Sequence, residues 1–370
     1  MLKEAFFSTL FCLTLTYLLS LIILNLSFLN PFKEAFKDFS FSDIFYAEKI
    51  QESKINSNII LVNIERRNRF EIGMLLESIL EAEPKVIGVD AIFKDLKEEE
   101  SDAYLAKFLQ HEKVISAKNI DNDKIIKNHP FFKTKNDAFI NINFSGENVI
   151  RTFDAFYKQD SSFATKIALK FTDFSVEKLN NRKRIKYTGN YKSFFNIGFD
   201  ELMLLNDKSF MKDKIVLLGY LGTPLGSNYD VEDKFFTPLN EKTAGKSLPD
   251  MFGVVIHANL INMFINNEFI YEVSNTTTTI VTLCFVFLFM ILVVKLERKG
   301  EIYNRTLKWL ILLLFTIILL YVHLLFLSID IYVNVFFLTA ITVVASNMFI
   351  FYVHFIKLLK KKISWKSYLD

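Results

Sequence analysis

Four long apolar stretches divide the chain, and a polar block separates the first stretch from the other three. The stretches cover about residues 5–29, 276–296, 309–328 and 331–356. Each has roughly the 20 residues that a helix needs to cross the ~30 Å hydrocarbon core of a bilayer. The pattern therefore predicts four transmembrane helices, with residues 30–275 folded outside the membrane.

Within that block, apolar runs rich in β-branched residues alternate with stretches of helical periodicity. The predicted strands cover residues 58–65, 85–93, 113–117 and 213–219, and the predicted helices cover residues 73–83, 101–112, 162–171 and 253–269. This alternation is typical of an α/β fold with right-handed crossovers. We expect a three-layer domain with a largely parallel sheet, in which the fully apolar run at 213–219 is buried on both faces.

An irregular region interrupts this pattern between the third and fourth predicted strands. Residues 138–144 and 149–157 have strand-like composition and are separated by Ser145 and Gly146, which favour a turn. A basic strand is predicted around residues 184–187. We therefore expect an antiparallel insertion whose first two strands form a hairpin.

The charges indicate which side of the membrane the domain occupies. Residues 30–275 hold 33 Lys and Arg against 36 Asp and Glu, and the rest of the chain holds 11 basic and 5 acidic residues. Ten of these basic residues lie at 295–308 and 357–366, which places both segments in the cytoplasm by the positive-inside rule. We predict cytoplasmic termini, a short basic tail at 357–370 and an extracytoplasmic domain.

The first stretch, residues 1–29, is predicted to be an anchor rather than a cleaved signal peptide. Its apolar part is about 25 residues long, and no Ala-x-Ala type cleavage site follows it.

Composition excludes several classes of function. Both cysteines lie inside spans, so neither disulfides nor structural zinc are expected in the domain. The 40 Phe residues could suggest base stacking, but an acidic extracytoplasmic domain does not attract nucleic acid. The G-x-S-x-G, H-E-x-x-H and G-x-G-x-x-G motifs are missing from the sequence, and no cofactor or metal is predicted.

Several motifs give the block a resemblance to a known family. They are LVNIE ending at Glu65, VIGVDAIF with Asp90, VIRTF with Arg151, DKIVLLG at 213–219, and an ordered tail in which DKFFTP precedes GVVIHAN. The chain resembles CHASE domains of type 2, the extracellular sensory modules of bacterial cyclases, histidine kinases and Ser/Thr kinases. The resemblance covers about residues 40–356 and includes the three spans that follow the module in this family.

Two departures qualify what the resemblance implies. Glu65 replaces the usual Asp, and ERRNRFEIG replaces a Trp- and Pro-rich signature after the first strand. Family members usually carry a catalytic output domain after the third of those spans, whereas fourteen residues follow here, too few to fold as an enzyme. We therefore expect a protein without enzymatic activity that signals through a partner.

Five residues are candidates for ligand binding. Glu65 and Asp90 end two predicted strands, and parallel sheets take ligands beyond such ends. If those strands are neighbours, the two carboxylates lie within several Å and one pKa rises. The other reading is that both acids cap loops or helices.

The remaining three candidates come from the ordered tail. Asp233 and Thr237 lie in a loop, and His257 lies near the start of the last predicted helix, where all three could face one crevice. For His257 the alternative is a packed imidazole that donates a hydrogen bond to the preceding loop.

The predicted function is that of a membrane-anchored extracytoplasmic sensory protein, which binds an unknown ligand or partner and signals or assembles through another protein. Two alternatives remain open. One is a structural or accessory subunit of an envelope membrane complex, and the other is a periplasmic enzyme that uses Glu65 and Asp90 as an acid pair.

Overall fold

The structure is a computed structural model that describes residues 1–25, 41–49, 55–142, 144, 148–174, 176–179, 182–240, 248–297, 301–362, 367 and 369. The chain divides into two compact units. Residues 37–270 form a domain, and residues 1–36 and 271–370 form a helical unit.

The domain contains a seven-stranded mixed sheet flanked by helices. In chain order its elements are α2 (Phe41–Lys49), β1 (Asn56–Asn63), α3 (Arg69–Glu81), β2 (Val86–Val89), α4 (Glu99–Leu109), β3 (Val114–Asp121), β4 (Lys124–Ile126), β5 (Asp137–Phe139), β6 (Thr152–Phe153), β7 (Phe156–Tyr157), β8 (Asp160–Ser161), α5 (Phe163–Phe171), β9 (Lys183–Arg184), β10 (Phe194–Ile197), α6 (Phe199–Leu204), β11 (Ile215–Gly219), β12 (Lys234–Phe235), β13 (Met251–Phe252) and α7 (Gly253–Ile265). The main order is β10-β1-β11-β2-β3-β4, with β5 also paired to β3. Every pairing in this sheet is parallel except β3 with β4, which confirms the predicted largely parallel fold.

Strand β11 contributes side chains to two hydrophobic cores, one on each face of the sheet. A single strand can do this because its successive side chains point to opposite faces. Ile215 and Leu217 belong to the core formed with α5 and α7. Val216 and Leu218 belong to the core formed with α3 and α4. A run of apolar residues without alternation is therefore what this position requires.

The predicted hairpin between residues 138–144 and 149–157 is wrong. Residues 137–139 form β5, which pairs with β3 in parallel register, Ala117 opposite Ala138. The second segment splits into β6, which pairs with β9, and β7, which pairs with β8. Ala138 and Phe139 are fully buried, so burial of their side chains in the main sheet favours pairing with β3 over the hairpin. The predicted turn residues 145 and 146 lie outside the described part.

The helical unit contains α1 (Leu2–Asn25), β14 (Tyr271–Glu272), α8 (Asn275–Glu297), α9 (Glu301–Leu327), β15 (Ile331–Tyr332) and α10 (Val335–Lys362). Four stretches of these helices are long and apolar enough to cross a membrane, namely Leu2–Leu21, Asn275–Glu297, Thr306–Leu327 and Val335–Lys361. The end of the first predicted span, residues 26–29, lies outside the described part, as do residues 363–366 of the predicted tail.

The connection between α7 and the second span differs from the prediction. The helix predicted over 253–269 ends at Ile265, and the chain next forms β14 before α8 begins. Strand β14 pairs in parallel with β15, and the Tyr271 and Val273 amides donate to the Asp330 and Tyr332 carbonyls at 2.8 and 3.0 Å. The start of the second span is therefore tied to the segment between the third and fourth spans.

The central position of β11 predicts a strong effect of charge at Val216, whose side chain is fully buried. Val216→Asp leaves a carboxylate without a partner between two cores, which we expect to cost about 3 kcal/mol or more. The unfolding temperature of the domain should fall by roughly 10 °C. The unfolding temperature is measured in the detergent-solubilised full chain, as the temperature at which residues 37–270 lose their resistance to protease.

Val231→Asp is the matched control, because Val231 is 50% exposed. This variant should melt within a few degrees of the wild type. Equal melting of the Val216 and Val231 variants would contradict the buried position of β11.

Candidate functional site at the carboxyl edge of the sheet

The site lies where β2 and β11 end and α7 begins. Asp90 follows β2 directly, and its amide donates to the Leu218 carbonyl at 2.8 Å. Gly219 ends β11, and a Cβ at this position would lie 2.6 Å from Cβ of Val254. Only glycine therefore lets the first turn of α7 approach the end of β11 this closely.

Asp233 brings a second carboxylate to this edge. It adopts a left-handed backbone with φ of 54°, and its carbonyl accepts a hydrogen bond from the Gly253 amide at 3.0 Å. A Cβ on Gly253 would lie 3.1 and 3.2 Å from the two carboxylate oxygens of Asp233. The carboxylate is thus packed against the first residue of α7, where the partial positive charge of the helix terminus favours an anion.

Burial is the main cause of a raised pKa at both aspartates, and the charge of Asp233 adds to the shift at Asp90. Burial, and then the negative charge of Asp233, raise the pKa of Asp90 well above its usual range. Burial, and then the charge of Glu232, raise the pKa of Asp233 from 3.8 to about 6, while the Gly253 amide opposes the shift. Asp233 is nevertheless an exposed residue, so water screens part of this repulsion.

The rim around the pair is mostly acidic. Glu232 forms an exposed ion pair with Arg66 at 2.9 Å, and the Tyr220 hydroxyl donates to Asp230. Among the described residues, no group of three or more His, Cys, Asp or Glu has an arrangement that could hold a metal ion. The pair can therefore take a proton, or a cationic group held by two carboxylates.

Glu65 does not join this pair. Strand β11 lies between β1 and β2, so the condition under which Glu65 and Asp90 would be close is not met. Glu65 instead contacts Arg67 at 3.0 Å, and Arg67 also contacts Glu71 at 3.2 Å and Asp200 at 2.7 Å. This places Glu65 in a separate charge network on the β1 and β10 side.

Thr237 positions the loop that carries Asp233. Its amide donates to Oδ1 of Asp250 at 2.8 Å, and its hydroxyl donates to the other carboxylate oxygen. Thr237 is buried. Burial raises the pKa of Asp250 to about 6, although the bonds from Thr237 favour the ionised form.

His257 lies one turn after Gly253 on the same helical face and is buried. Its ring packs edge-on against Phe163, with centroids 5.1 Å apart. Burial lowers its pKa to about 4, against the effect of a hydrogen bond with the Ile140 backbone. Its Nδ1 has no hydrogen-bond partner among the described residues. His257 is thus a neutral, packed side chain beneath the edge.

Two features of the domain are not identified by the sequence analysis. One is a polar cavity of about 360 Å³ lined by residues of the two loops that follow β1 and β2, including Arg67, Arg69, Phe93 and Lys97. Its Arg69 is buried and pairs with Asp102. Arg67, Asn68 and Arg69 of the segment ERRNRF line this cavity, at the place where the sequence departs from the family signature. The other feature is the buried pair of Asp43 and Arg151, which no spacing in the sequence indicates.

The comparison with protein families identifies the domain. A model of the CHASE2 domain matches residues 15–293, well over half of the chain. The chain belongs to the CHASE2 domain family. CHASE2 is an extracellular sensory domain family and not a catalytic one. The chain is thus a multi-pass membrane protein with an extracellular CHASE2 domain. Comparison with curated proteins and with solved structures gave no significant match.

The raised pKa of Asp233 predicts a pH-dependent stability. The folded CHASE2 domain keeps a proton on Asp233 up to about pH 6, whereas the unfolded chain loses it near pH 3.8, so the folded state binds more protons in between. The contribution of Asp233 to stability therefore falls as the pH rises from about 4 to about 6. Relative to the wild type, Asp233→Asn should gain stability across this window and keep the gain above it. Thermal unfolding of the full chain between pH 3.5 and 7.5 measures it.

Asp213→Asn is the control, because Asp213 has a similar left-handed backbone, with φ of 57°. It precedes β11 at the opposite edge of the sheet, beside Lys212, whose charge also pairs with Glu83. Asp250 and His257 also titrate near this window but are unchanged in both variants. A gain that is the same for both variants at every pH would refute the raised pKa of Asp233.

Proposed function

We propose that this protein is a sensor in a bacterial inner membrane, whose CHASE2 domain binds a proton or a cationic group between Asp90 and Asp233. The observation that carries the proposal is that Asp90, which follows β2, and Asp233, which packs against the start of α7, lie at the same carboxyl edge of the sheet and interact electrostatically. Open α/β sheets bind their ligands at this edge. The start of α7 at Gly253 packs against the Asp233 carboxylate and holds it at this edge.

The other predicted residues have supporting roles in this proposal. Thr237 holds the loop that presents Asp233, and His257 packs beneath the same helical face. Glu65 lies outside the proposed site and pairs with Arg67. No catalytic residue is proposed, because CHASE2 is a sensory domain family and the acid pair of Glu65 and Asp90 is not formed.

The proposed orientation places both termini in the cytoplasm and residues 30–275 in the periplasm. Its support is the cluster of basic residues between the second and third spans and after the fourth. The proposed output is a second protein that reads the state of the domain through the spans, the basic loop or the tail. The ladder between β14 and β15 supports this route, because it makes the last three spans respond together to their connection with the domain.

The orientation predicts the outcome of reporter fusions. A fusion after Asn190 should be active only as a periplasmic reporter, and fusions after Gly300 and Asp370 only as cytoplasmic reporters. Alkaline phosphatase and green fluorescent protein at each site distinguish the two sides. A cytoplasmic signal from the Asn190 fusion would end the sensor proposal, because the site would then face the cytoplasm.

The output predicts a partner whose association depends on the acid pair. After gentle detergent extraction, proteins crosslinked to the tagged wild type should be recovered in amounts that change in Asp233→Asn and stay unchanged in Asp213→Asn. Quantitative mass spectrometry of the three samples measures this. A partner recovered equally from all three would favour an accessory subunit of an envelope complex over a sensor.

A further inference from the structure

Helix α2 is fastened to the domain by a buried ion pair. This helix comes next after the first span in the described chain. Nε and Nη2 of Arg151 donate to the two carboxylate oxygens of Asp43 at 3.1 and 2.6 Å. Asp43 is 3% exposed and Arg151 is 8% exposed. A two-point bond of this kind fixes orientation as well as distance, so α2 docks in one defined position.

The backbone on either side of Arg151 is held by two other segments. The Ile150 amide donates to the Phe236 carbonyl at 2.8 Å, and Val149 forms an isolated β-bridge with Phe236. The Arg151 carbonyl accepts from the Ile185 amide at 2.9 Å. The position of the guanidinium therefore depends on where Phe236 lies.

Phe236 belongs to the segment that forms the candidate site. Asp233 comes three residues before it, with its carboxylate against Gly253. Between them β12 pairs antiparallel with β13, which leads directly into α7. Thr237 follows and is bonded to Asp250. Residues 233–237 thus connect the carboxylate pair to the backbone that carries Arg151, through hydrogen bonds at each end.

We infer that α2 is a latch coupled to the acid pair, so that occupancy of the site by a proton or cation strengthens the docking of α2 on Arg151. This inference rests on the proposed function. When Asp90 and Asp233 are both ionised, their charges disfavour each other at this edge, and neutralisation of either carboxylate removes this effect on the segment 233–237. The backbone at Phe236 then becomes more ordered, and its hydrogen bond from Ile150 keeps Arg151 in position.

Coupling of this kind is reciprocal. If the occupied site favours docking, docking must favour the occupied site by the same factor. Two states, with α2 docked or released, are sufficient for the signal, provided that the site differs in affinity between them.

Hydrogen exchange of the full chain in nanodiscs tests the latch at one neutral pH. A fixed pH is needed because Asp250, Tyr46 and Tyr187 lie in the electrostatic neighbourhood of Asp43 and Arg151. Asp233→Asn mimics the neutralised site and should slow the exchange of residues 41–49 and 149–151 severalfold. Asp213→Asn should leave both segments unchanged. A change at 233–237 without any change at 41–49 would overturn the coupling and leave the site intact.

A second variant separates docking from the site. Arg151→Lys keeps the charge but loses the two-point geometry, so residues 41–49 should exchange faster while β11 stays protected. In the double variant with Asp233→Asn, the slowing of 41–49 should shrink, because the site then acts on a broken latch. Full additivity of the two effects would refute the coupling. If Asp233→Asn changes the exchange of none of the segments 41–49, 149–151 and 233–237, while Arg151→Lys still speeds exchange at 41–49, docking of α2 stands but the proposed site and its coupling both fail.

Discussion

Strand β11 lies between β1 and β2, and this placement organises the rest of the domain. Its four apolar side chains are fully buried and supply both faces of the sheet. Because helices cover both faces, the carboxyl edge is where side chains of several strands and loops can meet solvent together. The loop that leaves β11 returns through Asp233 and β12 to α7, so the same strand that completes the core also brings the second carboxylate to Asp90.

The polar groups at this edge form two systems with different electrostatic character. Arg67 and Arg69 each pair with carboxylates, and these ion pairs hold the loops after β1 and β2 in place. The charge of Asp233, in contrast, raises the pKa of Asp90, although water screens part of this repulsion because Asp233 is exposed. Paired charges stabilise one conformation, whereas facing carboxylates store a repulsion that a ligand can release. This contrast is the physical reason for assigning the sensory role to the second system.

Two routes lead from the domain toward the helical unit. One passes through Arg151 and Asp43 into α2, and the other passes from α7 through residues 266–270 into β14 and the second span. The second is not a continuous helix, because α7 ends at Ile265 and β14 precedes α8. Within the helical unit, the pairing of β14 with β15 joins the start of the second span to the segment between the third and fourth spans. A CHASE2 protein built in this way has separate connections to its first span and to the rest of its bundle.

Much of the fold was predictable from the sequence, and the reasons are local. The strands at β1, β2, β3 and β11 and the helices α3, α4 and α5 follow from hydrophobic periodicity, because each buries one face or both. The predicted hairpin does not form, because residues 137–139 pair with β3 rather than with the predicted partner at 149–157. Asp90 and Asp233 were both recognised as candidates, but Glu65 was expected beside Asp90, and Asp43 was not considered at all.

The sequence by itself determined the four membrane-spanning stretches, the α/β class, the family and the chemical nature of the candidate residues, since each of these depends on composition or on spacing along a short segment. Only the tertiary structure decided that β11 inserts between β1 and β2, which separates Glu65 from Asp90 and places Asp233 there instead. The pairing of Asp43 with Arg151 was decided in the same way. Strand order and long-range ion pairs depend on which buried surfaces fit together across more than a hundred residues, and no local pattern encodes that choice.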